Sequence, residues 1–308
     1  MLFQTGDGGS FSVDSVDTDV NGEAQTLWTL GPGAGAQAAT ATVAGFAAVQ
    51  AGVGATAAAG VTVSWSNGAG GDWSAPANWT PSRVPGAGDT AVIDLAGTYA
   101  VAIAANHTVA ALTLGGASGT QTLTLGPASS LDVVGNAQVN PAGVIEMNDA
   151  RLASSAGLLT LAGALRVTAG VAQLNIPSVV GGTVDVQGGE LEVWLGGAFS
   201  GAVNVASGAT LTVLSGAAVN LSGSSTVDGN LAVLATGGVA FNGGTHVLGS
   251  TSTVSGAGTL DVAAGSVTVL GGYDLTGITA LSGAGALLFE NTTTPAVTSD
   301  LVVAGGAL

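Results

Sequence analysis

The chain has 308 residues, of which 7% are charged and 52 are Gly. Its 19 acidic residues against three Lys and Arg give a formal net charge of −16, which excludes the clustered cations that bind nucleic acids or anionic membrane surfaces. Because the chain has no Cys, it also lacks disulfides, thiolate metal sites and cysteine nucleophiles. Carboxylates are ligands that hard divalent cations prefer, so calcium stays a candidate partner.

The stretch between Glu23 and Asp72 is uncharged, but it is rich in Ala, Gly and Thr. It lacks the roughly 20 strongly apolar residues that a membrane helix needs, so we expect no membrane span. The first residues also lack the basic segment and apolar core of a secretory signal. We therefore expect the natural N-terminus, with its signal, to lie upstream.

The first part of the chain predicts short antiparallel strands. Residues 11–16 and 24–30 alternate apolar and polar side chains, and Asn21-Gly22 between them is a strong hairpin signal because both residues tolerate positive φ. Residues 38–44 and 49–58 predict two further strands. Four such strands are too few to close a sandwich.

A turn, a Trp strand and a final strand follow one another over about residues 10–60. The motifs are Thr18-Asp19-Val20-Asn21-Gly22-Glu23-Ala24, Trp28-Thr29-Leu30-Gly31-Pro32 and Ala39-Thr40-Ala41-Thr42-Val43-Ala44-Gly45. In this order they resemble the second half of a bacterial Ig-like domain of the invasin/intimin type. The first strands of such a domain are absent, so the resemblance implies a partial Ig-like domain over residues 1–60 and a spacer role at a bacterial surface.

The hairpin contains a pattern similar to a calcium loop. Asp17-Thr18-Asp19-Val20-Asn21-Gly22 matches the first six positions of an EF-hand loop, but Trp28 stands where that loop needs a bidentate Glu. The flanking segments also read as strands instead of helices. A polar hairpin turn is the favoured interpretation, with calcium binding as the alternative.

The next segment, residues 61–98, is rich in Trp. Trp65, Trp73 and Trp79 lie among Gly and Asn, where they could stack on sugars, but we favour a cap that covers an open solenoid end. The segment closes with Val84-Pro85-Gly86-Ala87-Gly88-Asp89-Thr90-Ala91-Val92-Ile93. Over about residues 63–115 the pattern resembles the opening of secreted bacterial β-helix and autotransporter-passenger repeats, which implies the fold that follows and no activity.

From about Tyr99 onward, apolar-polar-apolar triplets recur about every twenty residues between Gly-rich turns. The recurring sets are Val219-Asn220-Leu221, Val239-Ala240-Phe241 and Leu260-Asp261-Val262; Leu211-Thr212-Val213 and Leu231-Ala232-Val233; and Val205, Val227, Val247 and Val269. Three columns that advance together predict coils with three faces. The fold class is therefore all-β, with a right-handed parallel β-helix over residues 99–308 after an incomplete Ig-like sandwich. Because residues 301–308 keep the rhythm and no polar cap follows, we expect the solenoid to continue past Leu308.

One segment carries the residue types of a catalytic or sugar-binding site. In Glu190-Leu191-Glu192-Val193-Trp194-Leu195, inward Leu191, Val193 and Leu195 would place Glu190, Glu192 and Trp194 on one outer face. Asp185, on an adjacent coil face, would add a third acid. Paired carboxylates beside an indole suit glycoside hydrolysis or glycan binding. The alternative is an ordinary solvated face with Trp194 covered by a turn.

The sequence offers few residues for lyase, metal-dependent or triad chemistry. A pectate-type lyase needs cations, but the chain offers only Arg83, Arg151 and Arg166, and its acidic surface repels anionic glycans. His107 and His246 are far apart, so we expect turn or surface positions and neither a metal pair nor a catalytic triad.

The sequence therefore predicts no catalytic, cofactor-binding or metal-binding residues. The favoured function is a non-enzymatic, adhesin-like scaffold, secreted or at the bacterial cell surface, with host or matrix glycans or surface proteins as candidate partners. The alternative is a carbohydrate-active β-helix centred on Glu190, Glu192 and Trp194, which would bind or hydrolyse glycans.

Overall fold

A computed structural model describes residues 1–6, 9–31, 35–57, 60–290 and 297–305. In these ranges the regular structure is β-strand, apart from one 3-10 helix at Pro76–Asn78. No helix in the described part of the chain has the length and apolar character needed to cross a membrane.

Five strands form two small antiparallel sheets near the N-terminus. They are β1 (Leu2–Thr5), β2 (Ser10–Phe11), β3 (Trp28–Thr29), β4 (Gly35–Val43) and β5 (Phe46–Ala57). One sheet has the order β1-β4-β5 and the other pairs β2 with β3. The rings of Phe3 and Phe11 lie 5.6 Å apart and those of Phe11 and Trp28 6.2 Å apart, so aromatic contacts join the two sheets.

The predicted strands over residues 38–44 and 49–58 correspond to β4 and β5, although residue 58 lies outside the described residues. The predicted strands 11–16 and 24–30 pair only at their outer ends, in β2 and β3. Between those ends the Thr26 hydroxyl bonds to the backbone of Val13, which replaces a ladder bond with a side-chain bond. Strand β1 was not predicted.

The Trp-rich segment folds onto the first coil of the solenoid. It contributes β6 (Thr62–Trp65), β7 (Gly71–Asp72), β8 (Trp79–Thr80) and β9 (Thr90–Ile93). Strand β8 runs antiparallel to β6, whereas β6 and β9 are parallel. The indoles of Trp65, Trp73 and Trp79 are buried in edge-to-face contacts, with ring centroids 5.0 and 4.8 Å apart. Because the three rings are inaccessible to a ligand, their position agrees with the cap interpretation and not with sugar stacking.

One carboxylate clamps this segment. Asp89 accepts two bonds from the Arg83 guanidinium, at 2.5 and 2.6 Å, and further bonds from the backbone N–H groups of Gly86 and Val61. Asp89 is only 5% exposed. The bonds from Arg83, followed by those from the two backbone N–H groups, lower the pKa of Asp89 to about 2, despite the opposing effect of burial.

We expect Asp89→Asn to lower the free energy of unfolding by about 2 kcal/mol at neutral pH, because the charge-assisted bonds are lost. The lowered pKa means that this contribution is present above the ordinary value of 3.8 and fades as the pH falls through about 2. Asp132→Asn is the matched control, since the side chains of Asp132 and its partner Arg151 are 39% and 41% exposed. Equal destabilisation of both variants in urea unfolding would contradict the stabilising role of the bonds that Asp89 accepts.

The remaining strands form the solenoid. In chain order they are β10 (Tyr99–Ile103), β11 (Asn106–Val109), β12 (Ala111–Leu114), β13 (Gln121–Leu125), β14 (Ser130–Val133), β15 (Ala137–Val139), β16 (Gly143–Asn148), β17 (Arg151–Ala153), β18 (Leu159–Leu161), β19 (Ala164–Ala169), β20 (Val171–Asn175), β21 (Ser178–Val180), β22 (Thr183–Val186), β23 (Glu190–Val193), β24 (Gly197–Phe199), β25 (Val203–Val205), β26 (Thr210–Val213), β27 (Ala218–Leu221), β28 (Ser225–Val227), β29 (Asn230–Val233), β30 (Gly238–Leu248), β31 (Thr253–Gly256), β32 (Thr259–Val269), β33 (Gly272–Leu281), β34 (Ala286–Phe289) and β35 (Val297–Val303).

From β10 to β27 each strand pairs in parallel with the strand three positions further along the chain, which confirms a coil with three faces. The first face begins with β10, β13 and β16, the second with β11, β14 and β17, and the third with β12, β15 and β18. Later strands such as β30 and β32 bend around a corner and serve two faces. About ten turns of about 21 residues make a right-handed parallel β-solenoid, as predicted.

The predicted columns are confirmed with one exception. Strand registers place Val219, Val239 and Leu260 in one column, and they align Leu211 with Leu231. All are buried, so the core consists of apolar side chains stacked from coil to coil. The other predicted column is wrong at Val247: Leu248 pairs with Val227 and Val269, because β30 carries an irregular corner that shifts the count by one.

A column of glycines runs along the corner between the third and first faces. Its members are Gly163, Gly182, Gly201, Gly223, Gly244 and Gly265. A Cβ at each position would lie 1.6–2.4 Å from the carbonyl oxygen of a glycine one coil earlier. At Gly182 the corner requires glycine because two backbones approach closely, whereas Gly244 and Gly265 also have positive φ, of +72° and +78°.

We expect Gly182→Ala to destabilise the solenoid by about 3 kcal/mol, since the added Cβ would lie 1.8 Å from the Gly163 carbonyl oxygen and a coil would have to move. Gly181→Ala is the matched control, because the nearest atoms to its Cβ would be 4.0 Å away. Thermal or urea unfolding of the two variants measures the difference. Two variants of equal stability would show that the corner does not require glycine.

One inward column is polar at two adjacent coils. His246 is fully buried and pairs in register with Ser225, in a column that otherwise carries residues such as Val203 and Val267. Its Nε2 lies 2.6 Å from the Gly243 carbonyl oxygen and must donate, so Nδ1, 2.8 Å from the Ser225 hydroxyl, accepts in the neutral ring. The expected turn or surface position of His246 is therefore wrong. Burial lowers the pKa of His246, although its bond to the Gly243 carbonyl acts in the opposite direction.

The lowered pKa of His246 makes stability depend on pH. Above the ordinary pKa of 6.5 the ring is neutral whether the chain is folded or not; below it the unfolded chain takes up a proton that the folded chain resists. We expect the wild type to lose stability as the pH falls from about 7 to about 5.5, and Ser225→Val/His246→Leu to lose less over the same range. Because His107 is present in both the wild type and the variant, the difference between their losses of stability reports on His246. Identical losses in urea unfolding would contradict this assignment.

Candidate functional site

The acidic pair lies on the outer side of the second face. In β23 the side chains of Leu191 and Val193 are buried, and those of Glu190 and Glu192 point outward, as the alternation predicted. The expected inward position of Leu195 is wrong, because Leu195 is 51% exposed. The strand ends at Val193, and the alternation is lost in the corner that precedes Gly196.

Glu192 is at the centre of a hydrogen-bonded group. Its Oε2 accepts from Trp194 Nε1 at 3.1 Å and from Gln173 Nε2 at 3.2 Å. Gln173 is its register partner on the preceding coil. The indole of Trp194 is therefore held by its N–H while the side chain stays 41% exposed, so a turn does not cover it.

Glu190 has a different partner. Its Oε1 accepts from the Thr212 hydroxyl at 2.5 Å, and the covered Thr212 is only 5% exposed. Successive outward residues on one strand are about 6.6 Å apart at Cα, so the two acids are near neighbours. Each carboxylate serves as an acceptor for a neighbouring side chain, an arrangement that fixes Trp194 and Thr212.

Asp185 does not join this group. It lies on β22 of the first face, where its register partners are Arg166 and Asn204. The Asn204 amide donates to Asp185 at 2.7 Å. The other register partner, Arg166, forms an ion pair with Glu146 at 3.8 Å. As predicted, Asp185 lies on the adjacent face, but its carboxylate bonds to Asn204 and does not join the group around Glu192.

Two leucines extend the exposed surface of Trp194. The backbone N–H groups of Trp194, Leu214 and Leu234 each bond to the preceding coil immediately after a strand of the second face, so the three residues stack at one corner. Leu234 is 38% exposed and Leu214 is half-buried. We call these three residues the corner ridge.

A polar groove lies on the same face, towards the N-terminal coils. Its polar lining includes Asn106, Ser130, Asp149, Arg151 and Gln173. Gln173 belongs to the groove and to the Glu192 group, so the two surfaces are continuous. Sequence reasoning considered Arg151 only as a cation for lyase chemistry, and it missed Gln173, Thr212 and the leucines of the corner ridge. The repeat could have found them, because they lie at successive coil positions of the outward row or the corner.

The other polar motifs have structural positions. His107 is on β11 and half-buried, not in a turn, with its ring 5.7 Å from that of Trp73 and Nε2 3.2 Å from the Ser74 hydroxyl. Burial lowers the pKa of His107, and the Asp72 carboxylate opposes this effect.

The calcium-like motif forms a turn. The Asp19 carboxylate accepts from the backbone N–H groups of Asn21 and Glu23 at 2.9 and 2.8 Å, and Gly22 has φ +81°. These bonds, chiefly that from Glu23, lower the pKa of Asp19. The geometry agrees with the favoured hairpin turn and gives calcium no support. Within the described ranges, no group of three or more His, Cys, Asp or Glu side chains could hold a metal ion.

Comparison of the chain with protein-family profiles, with curated proteins and with solved structures finds no match. The function must therefore be inferred from the fold and from the residues on the second face.

Proposed function

We propose that the chain is a non-enzymatic, adhesin-like scaffold of a bacterial surface or secreted protein. The observation that carries this proposal is the parallel ladder that continues from β6 to β35 over about ten turns. At about 4.8 Å per coil the ladder gives a rod of roughly 48 Å, a shape suited to holding other parts of a protein at a distance.

The proposed location rests on composition and resemblance. A chain without Cys, with 7% charged residues, gains its stability from stacked coils in place of disulfides. The motifs around Trp28 resemble invasin-type Ig-like domains, and those around Trp65 resemble autotransporter-passenger repeats. Host or matrix glycans and surface proteins are the partners that such a role implies.

Glycoside hydrolysis is the second candidate, favoured by the outward position of Glu190 and Glu192 on one strand. Against it stands the engagement of both acids with neighbouring side chains, Thr212 for Glu190 and Trp194 with Gln173 for Glu192. A hydrolase needs one acid to protonate the leaving group and the other to act as nucleophile or base. The scaffold proposal needs neither.

We expect the purified full chain to release no reducing sugar from cellulose, xylan, mannan or polygalacturonate during prolonged incubation. Release that disappears in Glu190→Gln or Glu192→Gln would contradict the non-enzymatic proposal. The location is tested separately by antibody detection on intact source cells and in their culture medium. The proposal expects the protein on the cells or in the medium while a cytosolic marker is in neither, and protein confined to the cell interior would overturn that location.

A further inference from the structure

We infer that the outer side of the second face binds an uncharged polysaccharide, with Trp194 as the stacking platform. This inference goes beyond the scaffold role, because a rod can serve as a spacer without any ligand. It starts from the contrast among the indoles: Trp65, Trp73 and Trp79 are at most 2% exposed, whereas Trp194 is 41% exposed. The exposed ring adjoins the leucines of the corner ridge, and a contiguous exposed apolar patch is a mark of an interaction site.

The Trp194 ring is anchored for such a partner. Its N–H donates to Glu192 at 3.1 Å, which satisfies the polar end of the indole and restricts the ring's rotation. A platform that is already ordered loses little conformational entropy on binding. Leu214 and Leu234 continue the apolar surface along the corner ridge, so the platform extends beyond one ring.

Hydrogen-bonding groups lie beside the platform. A pyranose ring presents C–H groups on its flat side and hydroxyl groups around its edge, so it needs an apolar surface next to donors and acceptors. Glu192 supplies a carboxylate with acceptor capacity beyond the two bonds to its Oε2, and Gln173 supplies an amide. Register places Arg151, Gln173 and Glu192 in one outward row, at about 4.8 Å per coil.

The row favours an extended chain over a single sugar. Upstream of Arg151 the register continues through Ser130 to Asn106, and these residues line the polar groove. From Asn106 to Glu192 the row crosses four coil steps, or roughly 19 Å. A polysaccharide could follow the groove and end with one ring on Trp194.

Charge selects an uncharged polysaccharide. The cation nearest the platform in the outward row is Arg151, which is paired with Asp132 at 3.3 Å. Glu190 and Glu192 lie beside the platform itself, and the whole chain carries a formal charge of −16. A uronic or sulfated glycan would therefore be repelled, whereas neutral hydroxyl groups would not.

The test is a titration of the full chain with hexasaccharides of cellulose, xylan, mannan and chitin, and with polygalacturonate as the anionic probe. We expect at least one uncharged probe to bind and to change the intrinsic Trp fluorescence. Trp194→Ala should weaken binding by about tenfold or more in calorimetry, the effect of losing about 1.4 kcal/mol. Trp194→Phe should retain part of the binding, because its ring still stacks but lacks the N–H that anchors the indole to Glu192, while the fluorescence change disappears.

Val179→Ala is the matched control, because Val179 is 44% exposed but lies on the third face, and its affinity should equal that of the wild type. Thermal unfolding of each variant checks that the solenoid is intact. Three results would overturn the inference: no binding of any uncharged probe, preference for polygalacturonate, or unchanged affinity in Trp194→Ala. None of them would affect the scaffold proposal, which the antibody-detection and sugar-release experiments test.

Discussion

The structure depends on the axial repeat of about 4.8 Å between hydrogen-bonded parallel strands. Because each coil lies directly on the previous one, a strand residue has equivalents on the coils before and after it, as Leu211 has Leu191 and Leu231. Apolar residues then bury one another without any helix or second sheet. The same spacing determines which residues the corners accept, since a side chain that points along the axis meets backbone. The glycine column from Gly163 to Gly265 follows from that limit.

Stacking also organises the polar surface. On the first face Arg166 stands in register with Glu146 on one side and Asp185 on the other, so charges alternate along the axis. On the second face Gln173 and Glu192 are neighbours for the same reason. A surface with few charged residues can thus hold rows of paired groups, because the fold brings residues about 20 positions apart into contact.

The regularity of the repeat decides what could be predicted from the sequence. The columns through Val219 and Leu211 were predictable, since hydrophobic alternation and a nearly constant coil length reinforce each other. The error at Val247 arose where the corner of β30 has an irregular length. His246 was misplaced because a His that follows Gly243, Gly244 and Thr245 reads as part of a turn, and only the register shows that it enters the core. Alternation predicted the outward acids of β23, but it could not predict the exposure of Leu195, which lies beyond the end of the strand.

The ladder has a consequence for the integrity of the chain. Each coil is hydrogen-bonded to the coils on either side along all three faces. The covalent connection at any single corner therefore contributes little to keeping neighbouring coils together. A peptide bond cut at an exposed corner would leave two fragments joined by complete rows of main-chain bonds. The solenoid would therefore tolerate single cuts of the backbone, and it would unfold only by loss of whole coils from one end.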